Sequence, residues 1–274
     1  MPTDIIEQLK ETTSFIKKNC SAKPEIGIVL GSGLGNLAKE IVVEKEIAYS
    51  EIPHFPAVTV EGHHGKLTFG KLGGKDVVAM SGRFHYYEGY TPQQVVFPIR
   101  VMKFLGVNLL LISNAAGGIN PSFKVGDLMI VKDHISLLTV NPLIGKNHVE
   151  LGLRFPDMSE PYNKQLITKV KAIAARLDIP LKEGVYAGVT GPTFETRAEY
   201  KFLHFAGGDV VGMSTVQEVI AAVHAGLKVV AISVITDMGI REEDNVITHE
   251  EVLQAAENAE PKLAAIFKQL ITEL

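Results

Sequence analysis

The sequence predicts an α/β fold: a single domain in which a central mixed β-sheet is flanked by helices. Short apolar runs typical of buried strands alternate with amphipathic helical segments up to the end of the chain. Two further strands are separated by a Gly-Gly turn, which indicates a hairpin and makes part of the sheet antiparallel. The 274 residues contain no linker, repeat or low-complexity tract, so we expect residues 1–274 to form one domain.

The first third of the chain predicts a helix, a strand and a hairpin. Asp4 can cap a helix that runs to about Asn19, because apolar residues recur there at helical spacing. The run IGIVL at 26–30 reads as a strand buried on both faces, and it leads into GSGLG at 31–35, after which we expect a helix. Residues 66–81 read as the hairpin.

The middle of the chain continues the alternation. Thr91, Pro92 and Gln94 form the start of a helix that we expect to reach about Gly106, with a cap, a proline in the first turn and a capping-box glutamine. A buried strand at 108–113 should break into a turn of small residues at 114–118. The next strand is predicted at 127–131, and a long loop at 141–161, which is rich in proline and glycine.

The last third predicts three strands and four helices, three of them opened by a Thr-x-x-Glu pattern that is typical of a capping box. We expect these helices at 162–177, after Thr196, from Thr215 to His224 and after Thr248, and the strands at 185–189, 210–211 and 229–235.

Composition excludes several classes of function. Lys and Arg (27) nearly balance Asp and Glu (31), so the net charge of −4 offers no broad basic surface and we expect no nucleic-acid partner. No apolar run approaches the roughly 20 residues of a membrane-spanning helix, so we expect no membrane association. The acidic, amphipathic N-terminus lacks signal-peptide features and Cys20 is the one cysteine, which together favour a cytoplasmic protein.

Five short segments rich in small and polar residues follow predicted strands, where ligands gather in α/β sheets. These segments are 31–35, 81–90, 114–118, 191–199 and 212–215. The first could hold an anion with backbone amides or could be only a tight turn. It is not a dinucleotide fingerprint, because Asn36 occupies the position of the third glycine, and the chain has no P-loop motif.

Within the second segment, Arg83 and His85 are two positions apart, so both should face the same side of an extended chain, where they could bind one phosphate. The adjacent His63 and His64 should point to opposite sides, which makes them a poor metal pair. No zinc-binding motif occurs, so we expect no metal.

Six motifs in this order resemble one family. GSGLG, GHHGKL, GRFHYYEGY, NAAGGIN, GPTFETRAEY and VGMSTVQEV, spread over most of the chain, are similar to those of the trimeric purine nucleoside phosphorylases. The resemblance implies a nucleoside phosphorylase-like fold and a homotrimer. It implies reversible phosphorolysis of purine (deoxy)ribonucleosides, chiefly inosine and guanosine, to free base and α-D-ribose 1-phosphate in purine salvage. It also implies that no cofactor is needed, since inorganic phosphate is a co-substrate.

The resemblance also implies which residues form the site. Phosphate would contact Ser32, His63, Arg83, His85, the backbone amide of Ala115, and Ser214. The nucleoside would contact Tyr87, Phe194, Glu195, Val211, Met213, Asp237 and His249. The catalytic residues would be His85, Glu195 and Asp237.

The base-binding residues bear on specificity. An ionised Glu195 accepts hydrogen bonds, which suits the N1 hydrogen of 6-oxopurines and not the bare N1 of adenine. Asp237 replaces the asparagine usual in 6-oxopurine enzymes: ionised, it would repel O6, whereas protonated it could donate to N7 or O6. Leu151 stands where an aromatic residue that reaches the neighbouring subunit's ribose site would be expected, which weakens the case for a shared site.

Other functions stay open on the sequence alone. Asp237 leaves room for an enzyme of the same family that prefers adenosine or 5′-methylthioadenosine. A hydrolytic nucleosidase would use water in place of phosphate. A dinucleotide-dependent oxidoreductase would use GSGLG, and a nucleoside-binding module would show no turnover.

Overall fold

The computed structural model describes residues 4–32, 34–57, 65–138, 140–239 and 248–274. These residues form nine strands and seven α-helices. The strands are β1 (Ile26–Leu30), β2 (Val42–Ala48), β3 (Lys66–Leu72), β4 (Lys75–Ser81), β5 (Leu109–Gly118), β6 (Leu128–Ser136), β7 (Leu181–Gly188), β8 (Val210–Gly212) and β9 (Lys228–Met238). The helices are α1 (Ile5–Asn19), α2 (Pro92–Val95), α3 (Phe97–Leu105), α4 (Lys164–Arg176), α5 (Arg197–Phe205), α6 (Val216–His224) and α7 (His249–Thr272).

The nine strands form one mixed sheet in the order β2-β3-β4-β1-β5-β8-β7-β6-β9. Parallel pairs such as β1 with β4 and β5 with β9 coexist with antiparallel pairs such as β3 with β4 and β6 with β9. Because β9 pairs with β5 as well as with β6, the second half of the sheet closes on itself. The predicted single-domain α/β fold with a mixed sheet is therefore confirmed.

The hairpin and the buried first strand follow from local sequence. All five residues of β1 are buried, as the unbroken apolar run predicts. Strands β3 and β4 are joined by Gly73 and Gly74, both with positive φ (56° and 81°), the backbone that a two-residue hairpin turn requires. Strand β2 was not predicted, since it lies at the edge of the sheet and its first five residues are exposed, which removes any burial pattern.

The prediction of a turn at 114–118 was wrong, because β5 continues through Gly118 and pairs with β9 along its length. Small residues are needed here for close packing. A Cβ on Gly117 would lie 3.0 Å from Oδ2 of Asp237, and one on Gly118 would lie 2.5 Å from Sδ of Met238. The small residues that resembled a turn therefore allow strands and side chains to approach one another.

Two helix predictions also need correction. The helix expected from Pro92 to Gly106 breaks at Val96 into α2 and α3, since Pro98 has no N–H to donate to the carbonyl of Gln94. After GSGLG the chain forms a short 3₁₀ helix, Asn36–Glu40, in place of the expected regular helix.

Two other predictions, three of the capping boxes and the long loop, are confirmed. Capping boxes begin α2, α5 and α7. The stretch 141–161 contains neither helix nor strand. Within the described ranges, no helix is both long and apolar enough to cross a membrane.

Candidate active site

A cavity of about 110 Å³ opens at the carboxyl ends of β1, β4, β8 and β9 and along the last residues of β5. It brings together every predicted site residue that lies within the described ranges; His63 lies outside them. These residues are Ser32, Arg83, His85, Tyr87, Ala115, Phe194, Glu195, Val211, Met213, Ser214, Asp237 and His249. The expectation that separate segments converge on one pocket is confirmed, while the role of each residue stays a prediction.

Arg83 forms one wall of the cavity and is held by contacts from three elements. Its side chain is almost completely buried, at 1% exposure. Nη1 donates to Oγ of Ser214 at 2.9 Å and Nη2 donates to the carbonyl of Ser113 at 2.9 Å. Nε lies 3.3 Å from Oε1 of the buried Glu218. The plane of the guanidinium is therefore fixed before any ligand arrives.

His85 is oriented by Glu88 and Tyr87. Its Nδ1 lies 3.1 Å from Oε1 of Glu88, which also accepts the His85 backbone N–H at 2.7 Å. The ring stacks on Tyr87 with centroids 4.7 Å apart. Burial raises the pKa of Tyr87 to about 12, so this phenol keeps its proton at neutral pH. A carboxylate at Nδ1 favours a proton there and sets the orientation of the imidazole.

The segment after β8 is strained, and this corrects one sequence prediction. Thr215 has φ of 67°, unusual for a β-branched residue, and its side chain does not cap α6. Its Oγ1 accepts instead from Nδ2 of Asn114 at 3.0 Å. Glu218, which completes the Thr-x-x-Glu pattern, faces Arg83. A capping box and a buried ion pair look identical in sequence here.

Ser214 is placed by the same segment and by a tyrosine that sequence reasoning missed. The hydroxyl of Tyr186 accepts the Ser214 backbone N–H at 3.3 Å and lies 3.5 Å from its Oγ. A Cβ on Gly212 would lie 2.2 Å from this hydroxyl, so the strand can approach the tyrosine only with glycine at that position. Ser214 thus lies between Arg83 and Tyr186.

Two carboxylates lie together in another part of the cavity. Asp237 is 6% exposed, and its Oδ1 accepts from Oγ1 of Thr236 at 3.0 Å. Burial raises the pKa of Glu195, and the negative charge of Asp237 raises it further, whereas a hydrogen bond from Tyr200 opposes the shift. Tyr200 lines the cavity and was not predicted.

The cationic and acidic parts of the cavity are well separated. Arg83 bonds to Ser113 on β5, whereas Asp237 packs against Gly117, four residues further along the same strand. At roughly 3.3 Å per residue this is about 13 Å of strand. The cavity therefore has a cationic end, next to Ser113, and an acidic end, next to Gly117.

The loop that brings Phe194 and Glu195 to the cavity depends on a glycine. Gly191 has φ of 63°, and a Cβ there would lie 2.3 Å from Sδ of Met213 and 3.2 Å from Cδ1 of Tyr87. Only glycine combines this backbone with so close an approach. Gly191 therefore lets the loop pack directly against Met213 and Tyr87.

Leu151 does not line this cavity. Leu151 is 7% exposed and packs in the hydrophobic core of its own chain. Across the described part of the chain, no group of three or more His, Cys, Asp or Glu residues could hold a metal ion.

Comparison with known proteins places the chain and its fold in one family. The model of the phosphorylase superfamily matches residues 25–272. Purine nucleoside phosphorylase 1 of Bacillus subtilis (strain 168) is 48% identical over 267 residues, which cover 97% of this chain and 98% of that protein.

Two solved structures of purine nucleoside phosphorylases are similar to the fold of this chain. Isoform 2 of purine nucleoside phosphorylase from Schistosoma mansoni, in complex with cytosine and ribose-1-phosphate, superposes with a TM-score of 0.95 at 46% identity, covering 100% of this chain and 99% of that one. Schistosoma mansoni purine nucleoside phosphorylase in complex with inosine has a TM-score of 0.92 at 42% identity, covering 98% and 97%. The chain belongs to the phosphorylase superfamily and, within it, to the purine nucleoside phosphorylases.

Proposed function

We propose that this chain catalyses the reversible phosphorolysis of purine (deoxy)ribonucleosides, chiefly inosine and guanosine, to free base and α-D-ribose 1-phosphate. The observation that supports this most directly is the cavity's polarity: a buried Arg83 at one end and Glu195 with Asp237 at the other. An anion fits the first end, and a base with N–H donors fits the second. The sugar would lie between them.

In this proposal, the cationic end binds inorganic phosphate. Arg83 supplies positive charge, Arg83 and His85 supply N–H donors, and Ser32 and Ser214 supply hydroxyls. The backbone amide of Ala115 donates a further hydrogen bond, and His63 completes the set. The anchoring of Arg83 by Glu218 and Ser113 supports this role, because donors fixed before binding lose little entropy when the anion arrives.

Tyr87, Met213 and His249 would contact the ribose, His249 near the 5′-hydroxyl. Tyr87 stacks on His85, so the ring of Tyr87 would contact the sugar next to the phosphate. His249 is the first residue of α7, so its ring would contact the sugar from that helix. A sugar fixed in this way would hold its anomeric carbon over the phosphate, which is the geometry that displacement requires.

The chemical step exchanges one bond at the anomeric carbon for another. A phosphate oxygen forms a bond to C1′ while the C1′–N9 bond breaks, and its electron pair leaves with the purine. The departing base takes up the proton that hydrogen phosphate gives up on becoming the monoester, so the step balances without an oxidant or a reductant. Positive charge that develops on the sugar is stabilised by the phosphate held next to Arg83 and His85.

The base would lie among Phe194, Glu195, Val211 and Asp237. An ionised Glu195 accepts from N1–H of hypoxanthine and from N1–H and the 2-amino group of guanine. Asp237 would donate to N7 or O6 when protonated, which stabilises the departing purine. Asp237 is buried, and burial in general favours the neutral form of a carboxyl group.

A second base preference is supported by the same residue. If Asp237 is ionised, it accepts from the 6-amino group of adenine, and the enzyme would favour adenosine or 5′-methylthioadenosine. The observation that keeps this alternative is the hydrogen bond that Oγ1 of Thr236 donates to Oδ1 of Asp237 at 3.0 Å, because a hydrogen bond to a carboxylate favours its ionised form.

The setting of the reaction is also part of the proposal. We infer a cytoplasmic homotrimer that acts in purine salvage and needs neither metal nor organic cofactor. Leu151 packs within its own chain, so we propose that each subunit's site does not depend on this side chain of its neighbour.

The test is base release from inosine, guanosine and adenosine, with and without inorganic phosphate, in a buffer that contains a chelator. The proposal predicts release that requires phosphate, survives the chelator and is fastest with inosine or guanosine. Release without phosphate would instead indicate a nucleosidase. Binding without turnover would indicate a nucleoside-binding module.

A further inference from the structure

A buried carboxylate outside the cavity holds the glycine-rich loop at the cavity's cationic end. Glu260 lies within α7 and is completely buried, at 0% exposure. Its Oε1 accepts the backbone N–H groups of Asn36 and of Leu37, the latter at 3.1 Å. Its Oε2 accepts from Nδ2 of Asn36. One carboxylate therefore satisfies three donors at the start of the 3₁₀ helix that follows the loop.

The other end of the loop is held by β5. The backbone N–H of Gly31 donates to Oγ of Ser113 at 3.2 Å. A Cβ on Gly31 would lie 2.8 Å from the carbonyl oxygen of Ser113, so this end is pressed directly against the strand. Ser32 thus lies between two anchors, one on β5 and one on α7.

Helix α7 contributes to the cavity itself, so Glu260 joins two of its walls. His249 and Val252, in the first turn of α7, line the cavity together with Ser32. Glu260 lies eleven positions after His249, about 16 Å along the helix. The carboxylate therefore fixes the distance between the loop and the helix whose first turn lines the cavity.

We propose that Glu260, through Asn36 and Leu37, is a positioning residue for Ser32 and sets the affinity of the cavity for inorganic phosphate. This inference rests on the proposed phosphorolysis, because it assigns Ser32 to the phosphate. Leaving a carboxylate in the interior is costly unless all its hydrogen bonds are made, and here three donors meet it. An apolar residue would fill the same space without holding the loop.

A through-space electrostatic effect of Glu260 and a positioning effect predict opposite changes in the KM for phosphate, which makes the inference testable. Removing a negative charge near an anion site favours the anion, so a through-space effect would lower the KM for phosphate. Releasing the loop instead raises it. Glu260→Gln removes the charge and keeps one oxygen to accept from the two backbone N–H groups, whereas Glu260→Ala removes every acceptor.

The experiment measures initial rates while phosphate and inosine are varied in turn. We expect Glu260→Ala to raise the KM for phosphate about tenfold, the size of one lost charge-assisted hydrogen bond. The KM for inosine should stay within about twofold, and Glu260→Gln should stay within about threefold of the wild-type KM for phosphate. The phosphate-induced rise in melting temperature should shrink in Glu260→Ala, which reports binding without turnover.

Two further variants control for damage to the fold. Asn36→Ala removes one donor from an exposed residue and should raise the KM for phosphate about threefold; combined with Glu260→Ala it should add nothing, because both act through one contact. Lys268→Gln is the matched control, since Lys268 on α7 pairs with Glu40 at the far end of the same 3₁₀ helix, where both side chains are exposed. It should leave the KM for phosphate unchanged.

The outcomes separate the inference from the function on which it rests. A folded Glu260→Ala with an unchanged or lower KM for phosphate would overturn the inference alone, as would an equal rise for phosphate and inosine. If Glu260→Ala does not fold, additive effects of Glu260→Gln and Asn36→Ala would overturn it. A wild-type chain that ignores phosphate would overturn both the function and the inference.

Discussion

Replacement of Arg83 by alanine should separate the phosphate site from the stability of the fold. In the proposed complex, Arg83 makes two charge-assisted hydrogen bonds to phosphate, each worth about 1.5–3 kcal/mol. Losing both at the lower value removes about 3 kcal/mol, so the KM for phosphate should rise about 100-fold. The KM for inosine should change far less, because the sugar and base contacts remain.

The same substitution has a second cost that the structure makes explicit. Glu218 is 2% exposed and faces Arg83 across 3.3 Å, so Arg83→Ala leaves its carboxylate buried without a counterion. Breaking a buried pair in this way costs about 3–5 kcal/mol of folding free energy. The variant should therefore lose stability as well as phosphate affinity.

A double variant distinguishes the two effects. Arg83→Ala with Glu218→Gln removes the unpaired charge and should recover much of the lost folding free energy, measured by denaturant unfolding. The KM for phosphate should stay about 100-fold above wild type, because the guanidinium is still absent. Recovery of phosphate affinity in the double variant, or normal phosphate dependence in Arg83→Ala, would refute the assignment of Arg83.

Three further predictions follow from the cavity. Because the pKa of Glu195 is raised, its ionised form is lost at a higher pH than for an ordinary glutamate as pH falls, so the KM for inosine at saturating phosphate should rise on the acid side; Glu195→Gln should lack this limb. Asp237→Asn should raise the ratio of kcat/KM for inosine to that for adenosine by at least about tenfold. Gly31→Ala should raise the KM for phosphate about tenfold, since its Cβ would meet the carbonyl of Ser113; Gly35→Ala, with nothing within 4 Å, is the matched control.

Each of these predictions has a contrary result. A pH profile for inosine that is the same in Glu195→Gln and wild type would remove the carboxylate from base recognition. If the ratio of kcat/KM for inosine to that for adenosine is the same in wild type and in Asp237→Asn, Asp237 does not set base preference. Equal effects of Gly31→Ala and Gly35→Ala would mean that the contact with Ser113 does not set the loop.

The sequence predicts well those elements whose signals are local. The apolar run of β1, the Gly73-Gly74 turn and the cap at Thr196 depend on residues within a few positions of one another, and all three were predicted correctly. Strand β2 was missed because its first five residues are exposed and leave no burial pattern. Gly118 was read as part of a turn because its partner, β9, lies more than a hundred residues away in sequence.

The site shows the same division between local and distant signals. Its motifs carry the residues that line the cavity, so these could be identified from a resemblance. The residues that hold them, such as Glu218 and Glu260, have no motif of their own, because a buried carboxylate and an exposed helix charge look alike in sequence. Their roles appear only once Arg83 and Asn36 are brought next to them.

The central claim, that phosphate itself attacks the sugar, is tested most directly with ¹⁸O-labelled inorganic phosphate and inosine. If a phosphate oxygen forms the new bond to C1′, mass spectrometry of the ribose 1-phosphate will find every ¹⁸O label retained. One mole of ribose 1-phosphate will form for each mole of hypoxanthine. Free ribose that carries an unlabelled oxygen from water, formed at the same rate without phosphate, would contradict the account.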